Sequence, residues 1–347
     1  MPPEGVDLER LTPWFAAHID DATGGPLSAE LIAGGRSNLT YVIGDGTHTW
    51  VLRRPPLGHV VETAHDMGRE YRVLSALGDT DVPVPRVLAF GDDPDLIGAP
   101  FYVMERVEGR ILRTREEAET LTPAEARACS ERLVDVLARL HSVNYEAVGL
   151  GDFGRPEGFL ARNVARWGKQ WQANQTRQLP ALEELAKRLE GAVPTSGPPA
   201  VVHGDYRLDN TMLALDDPGR IAAVLDWEMS TLGDPLTDVG LLLVYWGGGA
   251  QLSVLTAQGV GDVPGFLTRD EVVARYADQS GRSVEHLDFY VAFAMYKLAI
   301  IVEGIHARYL MGKTVGDGFA EMGAIVDTLA AQALTLADAS SDAALRA

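Results

Sequence analysis

Basic residues are scarce in this chain. Lysine and arginine total 30 against 49 aspartates and glutamates, a formal net charge of -19 over 347 residues. A surface so acidic is a poor general partner for nucleic acid or an anionic membrane, since both associations depend on clustered cations. Any anionic ligand must then be met by a local group of positive side chains. Cysteine is scarcer still. Cys129 stands alone, which excludes an intrachain disulfide and a cysteine-based zinc site and fits a reducing compartment. Long apolar runs are also missing. Residues 239–246 are too few to span a bilayer, and Lys297 interrupts 289–302. The opening MPPEGVDLER has no basic flank leading into an apolar stretch, so no signal peptide is read there. No repeat with a period of 20–50 residues is evident. The expectation is a soluble, cytoplasmic protein, monomer or homodimer, with no nucleic-acid or membrane partner. Apolar residues are plentiful at 46%, with 23% charged, which is ordinary for globular proteins. The length predicts about two domains or lobes.

The pattern along the chain changes character once. Residues 7–20 read as a short amphipathic helix with Asp7 as cap. Short β-prone runs follow at 29–33, 39–43 and 48–53, broken by Gly34-Gly35 and by the turn Gly44-Asp45-Gly46. Met67, Tyr71, Leu74 and Leu77 give 65–77 a helical period. Strands are predicted at 86–90 and 100–107, after the stiff connector Val82-Pro83-Val84-Pro85. From Thr122-Pro123 with Glu125 the chain turns helical, with helices to about His141, at 158–177, at 181–190 and from 236 to 338. Short strands interrupt at 200–203, 211–215 and 221–225. The tail ADASSDAALRA is small and polar and reads as frayed. This predicts an α+β fold of two lobes, a small antiparallel-sheet N-lobe over residues 1–107 with a leading helix, and a larger, mainly helical C-lobe over 108–347.

The segment VVHGDYRLDN, 201–210, carries the most chemistry. An apolar run ends in His203-Gly204-Asp205, and Asn210 follows after four residues. A second acid, Asp226, closes another apolar run, IAAVLDW. Carboxylate and amide oxygens at strand ends suit a hard cation that shares its coordination with phosphate oxygens. A separate carboxylate is needed to take the proton of an attacking hydroxyl.

The spacing H-x-D-x-x-x-x-N followed by a second Asp resembles the catalytic loop and metal-binding Asp of protein-kinase-like enzymes. The His-Gly-Asp form, with Asp-Trp in place of Asp-Phe-Gly, resembles the aminoglycoside phosphotransferase and choline kinase branch. Gly-Gly-Arg-Ser-Asn-Leu-Thr-Tyr (34–41), Val-Leu-Arg-Arg-Pro-Pro (51–56) and LDWEMSTLGDPLTDVG (225–240) resemble one bacterial subfamily of it. That subfamily is related to the kinase-like domain of acyl-CoA dehydrogenase family members ten and eleven. The resemblance covers about residues 25–315. It implies a protein-kinase-like fold and an ATP- and Mg2+-dependent phosphotransferase that acts on the hydroxyl of a small molecule.

Residue by residue, it implies that Asp205 is the catalytic base and that Asn210 and Asp226 hold Mg2+. Gly35, Arg36, Ser37 and Asn38 match the phosphate-covering loop. Glu70 matches the glutamate that pairs with the cation of the third strand. Phe101 to Val107 match the interlobe hinge, where backbone groups of Glu105 and Val107 would meet adenine. The chain departs from the pattern at the third-strand cation. The expected lysine is absent, and Val51-Leu52-Arg53-Arg54 offers Arg53, whose fork can grip a phosphate bidentately. Strand alternation sends Arg54 to the other face. His203 and Asp238 read as structural parts of the loop, and Asp209 stays open between bracing the loop and phosphate electrostatics.

Residues 155–177 reverse the charge of the chain, with Arg155, Arg162, Arg166, Lys169 and Arg177 against Glu157. Arg162, Arg166 and Lys169 fall on one helix face, and Trp167 and Trp171 on another. An electropositive wall for an anionic acceptor is one reading; a solvated helix face is the other. The wall argues against a cationic aminoglycoside. The related animal domains make a hydroxyacyl-CoA the candidate acceptor by analogy. The competing functions are a kinase-like protein that binds nucleotide or ligand without transferring phosphate, and a metal-dependent hydrolase built on His203, Asp205 and Asp226. No Asp-Phe-Gly to Ala-Pro-Glu segment marks a protein kinase.

Overall fold

Strand alternation organises the first hundred residues. The computed structural model describes residues 3–32, 38–57, 66–247, 259–314 and 318–347. Strands β1 (Ser28–Leu31), β2 (Leu39–Gly44), β3 (Thr49–Arg54), β4 (Val87–Gly91) and β5 (Phe101–Glu105) form one antiparallel sheet in the order β1-β2-β3-β5-β4. Tyr41, Ile43, Trp50, Leu52, Phe101 and Val103 make a small core on one face, closed by Leu11, Phe15 and Ile19 on and just past helix α1 (Leu8–His18). Residues one step out of phase, Arg53 and Tyr102, point to the opposite face and are direct cross-strand partners. Helix α2 (Met67–Leu77), capped by Asp66, packs on that face and brings Glu70 beneath both. Arg54 turns the other way, as alternation predicts, and its guanidinium donates to the carbonyls of Gly5 and Ile97.

The remainder is mainly helical. The short helices α3 (Pro94–Ile97) and α4 (Arg115–Ala118) precede α5 (Pro123–Ser142), whose Thr122–Glu125 capping box and first-turn proline match the sequence signal. Helices α6 (Phe159–Asn174) and α7 (Pro180–Gly191) follow. Two small antiparallel pairs, β6 (Ala200–Val202) with β9 (Thr231–Gly233) and β7 (Thr211–Leu213) with β8 (Ile221–Val224), carry the central motif. Then come α8 (Leu236–Trp246), α9 (Arg269–Ser280), α10 (Leu287–Leu310), α11 (Met322–Ala339) and α12 (Ala343–Arg346).

Helix α10 is long and apolar enough to cross a membrane, but 78% of its most apolar window is buried within the fold. It packs against α8 and α11. A Cβ on Gly240 of α8 would stand 2.6 Å from the Tyr290 carbonyl, so the close α8–α10 crossing requires glycine there.

The C-terminal tail is a correction to the sequence reading. It is docked, not frayed. Leu345 is fully buried, the Ser340 hydroxyl donates to Asp288 at 2.7 Å, and His286 Nδ1 lies 2.8 Å from Asp342. One leucine among small residues leaves no periodic signal, yet it suffices to anchor a single turn.

Candidate active site

The register of the two strand pairs assembles the central residues. Strand β6 delivers the chain into His203-Gly204-Asp205. Thr211 and Val224 are paired across β7 and β8, so the preceding Asn210 and the following Leu225-Asp226 emerge side by side. Leu225 N–H donates to the Asn210 carbonyl at 2.8 Å. The buried His203 ties the loops together. Its Nε2 meets the Leu225 carbonyl at 2.9 Å, and its Nδ1 accepts from Asp205 N–H at 3.2 Å. This pattern assigns the proton to Nε2 and leaves His203 no role as a base. Asp238 accepts the N–H groups of His203 (2.7 Å) and Gly204 (2.8 Å) and lies 3.2 Å from His141 Nε2. It braces the loop. Burial works to raise its pKa, but His141, His203 and the Gly204 N–H outweigh that and hold it below the usual aspartate value.

Asp205 is held through one oxygen. Asn210 Nδ2 donates to its Oδ2 at 2.9 Å and Arg207 Nε at 3.2 Å, and both bonds fall on that one oxygen. The Asn210 amide N is committed to Asp205, so its carbonyl oxygen is the end turned away from that carboxylate. Arg207 also reaches Asp209 (3.0 Å) and lies 5.0 Å from the Tyr245 ring centroid. Asp209 is thus engaged with the loop's own arginine.

Arg53 joins the sheet to the loop. Its Nε lies 2.9 Å from Glu70 Oε2, outside hydrogen-bond geometry, and its Nη2 donates to Asp226 Oδ1 at 2.5 Å. Glu228 Oε2 is 3.8 Å away. Glu70 also accepts from the Tyr102 hydroxyl and from Asn38 Nδ2, each at 2.9 Å, and Asn38 Nδ2 reaches Glu228 at 3.0 Å. Burial pushes the Glu70 carboxyl up to about 7, against the pull of Arg53 and Tyr102. Burial also opposes the charge on Arg53, but Glu70, Tyr102, Asp226 and Glu228 together raise its pKa and keep it cationic. Asp226 has φ +66, a left-handed backbone rare outside glycine.

The structure thus brings Asp205, Asn210, Asp226, Arg53, Glu70 and Asn38 into one continuous network. Gly35, Arg36 and Ser37 lie outside the described residues. At the hinge, Glu105 N–H donates to the Arg86 carbonyl at 2.9 Å, so Glu105 can offer a nucleobase only its carbonyl. Val107, two residues on, lies just beyond β5.

The sequence reading missed Arg207, Glu228 and Tyr102. Two of them were within reach, since Arg207 and Glu228 each stand two residues after a motif aspartate. Tyr102 needed the β3–β5 register, which residue spacing does not supply.

Beside the loop lies a cavity of about 830 Å3. Its lining includes Gly204 and Glu228 from the network and, from the predicted basic segment, Arg155, Arg162, Arg166 and Lys169; Lys297 of α10 completes it. Two details differ from the sequence reading. The Arg162 guanidinium donates to the carbonyls of Arg155 and Glu157, so it shapes the loop at the rim. Trp167 shares the cavity with the cations, with Arg166 lying 5.5 Å from its ring centroid, while Trp171 is in the core. Among the described residues no group of three or more His, Cys, Asp or Glu is placed to hold a metal ion, and the hydrolase reading needs such a group.

A family profile described as "Phosphotransferase enzyme family" matches residues 28–272. The chain belongs to that family. Acyl-CoA dehydrogenase family member 11 from Gallus gallus is 35% identical over 318 residues, which are 90% of this chain and 40% of the relative. The phosphotransferase chain therefore spans well under half the length of that curated relative. A crystal structure of a candidate aminoglycoside phosphotransferase from Ralstonia eutropha is 34% identical with a TM-score of 0.84, covering 95% of this chain and 98% of that one. The ternary complex of aminoglycoside phosphotransferase APH(4)-Ia with AMP-PNP and hygromycin B shares the fold at 14% identity, TM-score 0.61, covering 96% of this chain and 99% of that one. The two-lobed, kinase-like α+β fold implied by the motifs is thus the fold of this phosphotransferase.

Proposed function

We propose that this phosphotransferase uses ATP and Mg2+ to transfer the γ-phosphoryl group to the hydroxyl of a small anionic acceptor in the cytoplasm, with a hydroxyacyl-CoA as the leading candidate. The observation that carries the reading is the meeting of Asp205, Asn210 and Asp226 at the edge of a cavity lined by cations.

Asp205 Oδ1 takes the acceptor proton, while Asn210 and Arg207 fix the carboxylate through Oδ2. The Asn210 carbonyl and the Asp226 carboxylate fit Mg2+, which favours a few protein oxygens and draws the rest of its shell from phosphate and water. When bound, the ion neutralises charge on the phosphate oxygens. Arg53 orients the phosphates, with Glu70 holding it. Asn38 closes the phosphate loop, and the carbonyl of Glu105 with the N–H of Val107 receives adenine. The catalytic contribution is mostly positioning and charge stabilisation.

The decisive experiment measures ADP release by wild type and Asp205→Ala with Mg2+·ATP, against hydroxyacyl-CoAs, aminoglycosides, choline and sugars. Turnover on one acceptor class, lost in Asp205→Ala while nucleotide binding persists, is expected. Saturable nucleotide binding with no turnover on any acceptor would favour the second reading, a catalytically inactive nucleotide-binding protein. That reading draws on Arg53 standing where lysine is usual and bonding Asp226.

A further inference from the structure

Helix α10 is apolar through nearly its whole middle, and Lys297 interrupts it. The ammonium donates to the carbonyl of Gly204 at 3.1 Å, one residue before Asp205. It lies 5.9 Å from the Trp167 ring centroid and lines the cavity. Among the described residues, no carboxylate stands within ion-pairing distance of it. Burial lowers its pKa from the usual lysine value, and the charges of Asp205 and Asp238 oppose that.

Desolvating an ammonium is costly, and a neutral donor would suffice to hold Gly204. Lysine carries three N–H donors, and Gly204 takes one of them. Arg155, Arg166 and Lys169 come from α6 and the loop before it, whereas Lys297 enters from α10 directly beside the catalytic loop.

We propose that Lys297 determines acceptor specificity by donating to a carbonyl or carboxylate oxygen of the acceptor close to its reacting hydroxyl. This rests on the phosphotransfer reading of the same site and deepens it. The acceptor class is a hydroxy compound with an oxo group near the nucleophile, and a polyamine is repelled. The more distant cations take whatever further anionic groups the acceptor carries.

The test pairs a change in the protein with a change in the ligand. The probes are 4-hydroxybutanoyl-CoA and its thioether S-(4-hydroxybutyl)-CoA, which keeps the hydroxyl and loses the carbonyl. Their Kd values are measured by calorimetry without nucleotide, and ADP release is followed in parallel. Wild type is expected to prefer the thioester by about 10- to 100-fold, the range of a hydrogen bond to a charged group. Lys297→Met and Lys297→Gln should lose that preference, and Lys297→Arg should keep part of it. The glutamine retains a donor for Gly204, and its melting temperature shows whether the loop is intact. A preference that survives in Lys297→Met, no preference in wild type, or binding of neither probe overturns the assignment. A preference that depends on Lys297, without any ADP release, would leave the assignment standing and defeat the phosphotransfer reading.

Discussion

The Arg53 guanidinium offers five N–H groups in a fixed plane and meets two elements at once, its Nε beside the Glu70 carboxylate of α2 and its Nη2 donating to Asp226 beyond β8. An ammonium is a single compact charge and cannot span both. Arg53→Lys is therefore expected to retain transfer with kcat/KM for ATP reduced about 10- to 100-fold, the loss of one charged hydrogen bond. Arg53→Met strands the buried Glu70 without its cation and should destabilise the protein by about 3–5 kcal/mol; urea denaturation measures it. That Asp205, Asn210, Asp226, Arg53 and Glu70 would meet was legible through the resemblance of the segments around them to a known family, and the structure brings them together. Tyr102, Arg207 and Glu228 were not read, since their roles depend on partners that only the register and the loop path bring near. Lys297 was visible as an interruption in an apolar helix, but nothing in sequence shows which way such an interruption points.

At the scale of elements, composition and caps gave α5 and the β2–β3 pair almost to the residue. The tail defeated the same reasoning. A single turn such as α12 is unstable alone and forms because it packs on α7, far away in sequence, and on the adjacent α11, with Leu345 buried. Leu345→Ala should cost about 2 kcal/mol, the low end for a buried leucine, and speed hydrogen exchange across 340–347. The crossing from sheet to helices is also fixed by contact. Arg110 bridges to Leu213, and a Cβ on Gly109 would approach Met212 Cγ to 2.3 Å and the Leu213 carbonyl to 2.6 Å. Gly109→Ala must push that crossing off the β7–β8 hairpin that carries Asn210. It is expected to destabilise by about 1–3 kcal/mol in thermal melts and to lower kcat as well.

The whole molecule depends on pH through its buried polar core. Burial lowers the pKa of His141 below its usual 6.5, with Asp238 opposing. The unfolded chain then binds that proton more tightly than the folded one, so stability falls as pH drops below about 6.5. Asp238 is held below 3.8, so its contribution is present above that value and is lost as pH falls through the folded value. Glu70, raised to about 7, works the other way and adds stability as pH falls toward its ordinary 4.5. The His141 stage is therefore read from the difference between wild type and a variant without it, and the Asp238 stage as a fall in melting temperature below about 3.8. His141→Gln should be less stable at neutral pH but should lack the first stage; the difference between the two proteins removes any effect of surface charge. The left-handed backbone at Asp226 has its own bearing on the balance of the whole. A side chain there costs roughly 1–2 kcal/mol that glycine would not incur, and asparagine tolerates the basin at least as readily as aspartate. Asp226→Asn keeps that backbone but loses the charge partner of Arg53, so it should melt somewhat below wild type and release no ADP. The side chain at position 226 thus occupies a backbone basin that glycine would fill at lower cost, a local strain borne where the carboxylate meets Arg53.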